Sequence, residues 1–154
     1  MRKLIISFVI TVLIGSSLFS QITFEKTYGT EHWERGSSVF QVNDNGYIVG
    51  ALQSPEQENN TYIIRTNMYG DTIWTRSISN DCWSNGPIKS IPVSDGFIVL
   101  SGNYDINLSK ADINFFKLNM DGDIVWNKVY DYKNRANFPY DFLATSEGYT
   151  ILVT

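Results

Sequence analysis

An all-β fold is what this sequence predicts, and three observations carry the expectation. The stretch Thr61 to Trp74 (TYIIRTNMYGDTIW) returns almost unchanged as Asn114 to Trp126 (NFFKLNMDGDIVW). Gly70 to Gly122 and Trp74 to Trp126 are both 52 positions apart, and a fixed offset of this kind marks a repeat array. From Ile22 onward, short apolar runs rich in aromatic and β-branched residues are separated by Gly, Asn, Asp and Ser, as strands are separated by turns. Finally, Tyr47-Ile48-Val49 and Phe97-Ile98-Val99-Leu100 are apolar on both faces, so each such strand must be covered on both sides.

The N-terminus has a different character. Met1-Arg2-Lys3 is basic, Leu4 to Ile14 is apolar apart from Ser7 and Thr11, and Gly15 to Ser20 is rich in small residues. That order of parts predicts a secretory signal peptide over 1–20, cut between Ser20 and Gln21, with Gly15-Ser16-Ser17 as a second site that satisfies the small-x-small rule. The apolar run is shorter than the roughly 20 residues a spanning helix needs, so the mature chain is expected to be secreted or held at the cell surface and not membrane-spanning. Loss of Arg2 and Lys3 leaves 12 − 2 = 10 basic against 16 acidic residues, a net charge of −6. An acidic surface argues against nucleic acid or anionic membrane as a partner. Cys82 is the only cysteine, so no intrachain disulfide can form, and no cysteine lies near the cleavage site to take a lipid. His32 is also single, which leaves no two-His metal site and no Ser-His or Cys-His pair unless His32 itself serves; beside Trp33 it reads as a loop residue.

The elements then follow in order. Phe24 to Tyr28 (FEKTY) is expected as a first strand because it matches Trp74 to Ile78 (WTRSI) and Trp126 to Tyr130 (WNKVY), with Lys26, Arg76 and Lys128 in the same place. Ser37 to Val42 and Tyr47 to Leu52 flank Asp44-Asn45-Gly46, where Gly46 is expected to supply the positive φ of a tight hairpin. The second copy has Ile88 to Val93, the turn glycine Gly96, and Phe97 to Leu100; the third has Phe142 to Thr145, Gly148, and Tyr149 to Val153. The third strand of a unit is Tyr62 to Asn67 or its partner, and hairpins at Tyr69-Gly70-Asp71 and Asp121-Gly122-Asp123 lead into the strands bearing Trp74 and Trp126. Those two tryptophans, at identical phase inside strands, are expected to be core anchors.

Repeats at approximately 24–73, 74–125 and 126–154 thus divide 21–154 into one strand, two units of four and a final pair, eleven strands in all. Blades packed radially cover both faces of every sheet, and a repeat of about 50 residues lies near the kelch length. The expected architecture is a partial β-propeller of about two and a half four-stranded antiparallel blades, an incomplete array, since closed rings usually need four or more blades. Its open end would expose apolar surface and unpaired edges, giving self-association through the blade edge.

The recurring pattern W-x-[KR]-x-[YI], then a Gly turn followed by [YF]-I-V, then an aromatic strand ending in a basic residue and Asn, then G-D-x-[IV]-W, resembles the repeats of secreted bacterial β-propeller proteins. Kelch repeats are similar in length and in the late Trp but carry a Gly-Gly pair that is missing here. The resemblance covers Ile22 to Thr154. It implies a propeller fold, often followed by a C-terminal secretion sorting domain, and says little about activity because such arrays host unrelated functions.

Candidate chemistry is sparse. Asn119-Met120-Asp121-Gly122-Asp123 has oxygen ligands around a Gly, as in a short calcium loop, but lacks the spacing and closing Glu of an EF-hand, and Tyr69 replaces Asp121 in the first copy. A hairpin turn is the reading, with no metal and no cofactor. Trp33 and Trp83 recur 50 apart with Gly36 and Gly86 behind them, in stretches expected to be loops between repeats. They are either ligand contacts or rings that cap the gap between blades, and Arg135 takes the place in the third copy. Asn59-Asn60-Thr61 and Asn107-Leu108-Ser109 fit the N-glycosylation pattern. No phosphate loop, nucleophile elbow or paired-His motif is present. The sequence therefore predicts a secreted, non-catalytic β-propeller module that binds or displays an unidentified protein or glycan and is part of a longer protein. The alternative is the N-terminal propeller portion of a secreted enzyme such as a hydrolase.

Overall fold

A computed structural model describes residues 23–55, 59–79, 83–105, 110–131 and 137–154. The expected leader, Cys82, the Asn107 sequon and Arg135 lie outside the described residues. The described chain is all-β, with ten strands: β1 Trp33–Gln41, β2 Tyr47–Ser54, β3 Asn60–Thr66, β4 Thr72–Ile78, β5 Trp83–Val93, β6 Gly96–Asp105, β7 Lys110–Leu118, β8 Ile124–Tyr130, β9 Pro139–Thr145 and β10 Gly148–Val153. They form three antiparallel sheets in sequential order, β1-β2-β3-β4, β5-β6-β7-β8 and the pair β9-β10.

Three expectations need correction. Phe24 to Tyr28 is not a strand: residues 23–30 join no ladder among the described residues, and the Lys26 and Tyr28 side chains hold the segment against the first sheet. Trp33 and Trp83 are not in loops but open β1 and β5, opposite Ser54 and Tyr104. Register shifts at Gly36/Ser38 and between Ser84 and Lys89 let these strands run on past the point where the apolar pattern breaks. In the first hairpin the positive φ falls on Asn45 (64°) and not on Gly46. That turn is wider than its counterparts, closing from Val42 N–H to the Gly46 carbonyl, while Val93 pairs directly with Gly96 and Thr145 with Gly148. Asn tolerates the left-handed region through its short polar side chain.

The strands that are apolar on both faces are covered on both faces. On one side of the middle sheet, Phe97, Val99, Phe116 and Leu118 pack against Val42, Ile48 and Ile63 of the first sheet. On the other, Ile98, Leu100, Ile113 and Phe115 pack against Phe142 of β9, with Ile151 of β10 beside them. Alternation along β6 sends Phe97 and Val99 one way and Ile98 and Leu100 the other, which is how one strand serves two cores. Each fully buried side chain of this size contributes roughly 1.5 to 3 kcal/mol. On the far face of the first sheet a smaller cluster, Ala51, Tyr62 and Ile64, is covered by Tyr28.

The basic residue one place before the end of the third strand of a unit reaches back to the first hairpin. Arg65 pairs with Asp44, and Lys117 with Asp95 at 2.6 Å. The Gly46 amide and the Arg65 guanidinium together hold the Asp44 carboxyl below its usual range, and the Lys117 ammonium does the same to Asp95. Glu147 occupies this turn position in the third unit and has no ion-pair partner among the described residues.

Candidate functional site

The repeated Gly-Asp turns are where one unit grips the next. In each, an Asn side chain organises the loop: Asn67 Oδ1 accepts from the Tyr69 and Asp71 amides, and Asn119 Oδ1 from those of Asp121 and Asp123. The ladder closes from Asn67 N–H to the Asp71 carbonyl and from Asn119 N–H to that of Asp123. Gly70 and Gly122 sit at φ 81° and 83°, a conformation that L side chains rarely adopt. Among the described residues no group of three or more His, Cys, Asp or Glu could hold a metal ion.

Against the Asn119–Asp123 turn lies the strand β4 of the preceding unit. The Trp74 indole N–H donates to the Met120 carbonyl at 3.0 Å, and Arg76 donates to the Asp121 carbonyl at 2.9 Å and lies 3.7 Å from an Asp123 carboxylate oxygen. The Arg76 guanidinium lies 5.5 Å from the Trp74 ring centroid. A β-carbon on Gly122 would sit 3.0 Å from the Trp74 ring, tight enough to push the indole back by a few tenths of an ångström. Trp74 then meets Phe97 at the start of β6, with ring centroids 6.4 Å apart.

The same contact is made one repeat earlier by the segment that is not a strand. Lys26 pairs with Asp71 at 2.8 Å, the Tyr28 hydroxyl donates to the Gly70 carbonyl at 2.7 Å, and Phe24 closes on Gly70. Phe24 also meets Tyr47 edge-on at 5.6 Å, in the place where Trp74 meets Phe97 at a tilt. The pairing keeps the Asp71 carboxyl below its ordinary range and the Lys26 ammonium above its own. The repeated basic residue is legible in the sequence; the turn it serves, some 45 positions downstream, is not.

The third instance is open. Trp126, with Lys128 5.8 Å from its ring centroid, borders a cavity of about 560 Å³ together with Tyr149, which holds the place of Tyr47 and Phe97. No described turn fills it. Trp74 and Trp126 are both half-buried at the rims of the two cores, so they edge the packing and do not lie at its centre. Their partners differ, since among the described residues only Trp74 is gripped by a following turn. Accordingly, Trp74→Ala is expected to cost roughly 2 to 4 kcal/mol and Trp126→Ala roughly 1 to 2. Urea unfolding of the two variants measures the difference; equal losses would mean that the turn adds nothing.

Of the remaining positions, Gly46 and Gly96 stand where any β-carbon would strike the third strand of the unit, at the Thr66 and Leu118 carbonyls, whereas Gly148 has open space. Trp33 is 59% exposed at the start of β1. Trp83 opens β5 at the corresponding place, and its side chain lies outside the described residues. Asn59 of the first sequon is half-buried and hydrogen-bonded to the Ser54 hydroxyl. The chain matches no protein-family model and has no significant match among curated proteins.

Proposed function

We propose that this chain is a secreted, non-catalytic module of β-propeller type, part of a longer repeat array, that binds or displays a protein or glycan. Support for the array comes from the grip between successive units, which recurs at the repeat interval, and from a middle sheet with core on both faces. The observation that carries the binding reading is Trp33. A tryptophan this exposed, at the first residue of a unit and matched by Trp83 at the first residue of the next, is a platform on which a sugar ring or an apolar side chain can stack.

The test is a panel of soluble glycans against the mature chain, with Trp33→Ala and Trp83→Ala as variants. The expected outcome is saturable binding to a glycan class, weakened about tenfold or more by each substitution, the loss of about 1.4 kcal/mol or more that an aromatic contact supplies, with the melting curve unchanged. A double variant that unfolds would mean that the rings cap the gaps between units, and the binding reading would fall.

A further inference from the structure

We infer that the open cavity at Trp126 and Lys128 is an acceptor site for an Asn-x-x-Gly-Asp hairpin turn presented by a further unit of the same repeat type. The inference rests on the repeated contact between units and is independent of what the array binds.

Three features define the site. Trp126 and Lys128 stand in β8 where Trp74 and Arg76 stand in β4, each displaced by 52 positions. In the filled case the indole N–H and the guanidinium donate to two turn carbonyls, the Asp123 carboxylate lies beside the cation, and the turn glycine at φ 83° presents no side chain to the ring. In the open case the cation is already poised beside the indole, Lys128 is exposed without an ion-pair partner among the described residues, and Tyr149 lines the cavity where Tyr47 and Phe97 meet the aromatic ring in the filled copies.

The surroundings agree. A turn arriving here would come with a third strand added to the free edge of β10, since in both complete units that turn follows the strand paired with the second one. The unopposed space over Gly148 and the unpaired Glu147 are the two places where such a strand acts in the complete units, through the carbonyl that approaches the glycine and the basic residue that meets the turn acid. Four separate positions thus await the same element. A second copy of this chain is a poorer occupant, because its Asn67–Asp71 turn is held by Lys26 and Tyr28 and its Asn119–Asp123 turn by Trp74 and Arg76.

The experiment uses the mature chain and a cyclised peptide carrying Leu118 to Val125 (LNMDGDIV) as the turn. Indole N–H signals are followed by NMR during titration into about 5 mM peptide, a concentration that reads dissociation constants in the millimolar range. The expected result is a saturable shift of the Trp126 indole with the Trp74 indole unmoved, and loss of the shift with a peptide carrying valine for glycine. Lys128→Glu, a change at an exposed side chain, should weaken binding about tenfold, and a peptide with lysine in place of the last aspartate should restore it to that variant. No shift at Trp126, equal shifts at both indoles, or indifference to the charge reversal would overturn the inference. So would a Lys128-dependent dimer in sedimentation velocity without peptide, which would make a second copy the occupant.

Discussion

Gly96→Ala is expected to destabilise the chain by about 3 kcal/mol or more, while Gly148→Ala, at the same place one unit later, costs only about 1. Both glycines begin the second strand of a unit directly after a two-residue turn, and both have positive φ, 155° and 143°. The backbone cost of a side chain is therefore shared. What differs is the neighbour. A β-carbon on Gly96 would lie 1.9 Å from the Leu118 carbonyl oxygen, and that oxygen belongs to the strand paired with β6, so it cannot retreat without opening the ladder. At Gly148 there is nothing within 4 Å. Chemical denaturation of the two variants supplies the comparison, and equal losses would show that φ strain alone governs both turns.

Phe116→Ala should be the most damaging single deletion in the core, costing roughly 3 to 5 kcal/mol. The ring is 1% exposed and lies in the cluster that joins β6 and β7 to Val42, Ile48 and Ile63 of the first sheet. Its neighbours are held in two different sheets, so they cannot collapse into the vacated volume without shifting one sheet against the other. Leu143→Ala is the control. Leu143 is 66% exposed on β9, and its truncation should fall within about 0.5 kcal/mol of zero. If Phe116→Ala unfolded as late in urea as Leu143→Ala, the two sheets would not share a core in solution.

Much of the fold is legible in the residues. The order and type of the strands follow from apolar runs broken by Gly, Asn and Asp, and runs such as Phe97 to Leu100 announce a sheet with core on both faces. The turns at Gly70 and Gly122 are legible because their positive φ admits few residues, so the same backbone conformation calls for glycine each time the unit recurs. Phe24 to Tyr28 resembles a strand in sequence because a repeat match transfers side-chain roles without the ladder: Phe24 and Lys26 close on a turn as Trp74 and Arg76 do, but among the described residues no ladder makes them a strand. Trp33 and Trp83 look like loop residues for a local reason, since the irregular register after each breaks the alternation that marks a strand in sequence. The positive φ at Asn45 is concealed by the adjacent glycine. The grip itself joins residues some 45 positions apart through backbone carbonyls, and carbonyls have no sequence signature.

That grip, one unit's aromatic and basic pair closing on the next unit's Gly-Asp turn, is tested most directly by proton NMR of residues 21–154. Because Trp74 lies over the face of Gly122 that carries no side chain, a Gly122 α-proton points at the indole. The expected result is nuclear Overhauser cross-peaks between the Trp74 ring and the Gly122 α-protons, a ring-shifted Gly122 resonance, and slow exchange of the Trp74 indole N–H bonded to Met120. Gly122 α-protons at ordinary positions, without a cross-peak to Trp74 and with its indole N–H exchanging as fast as that of exposed Trp33, would contradict it.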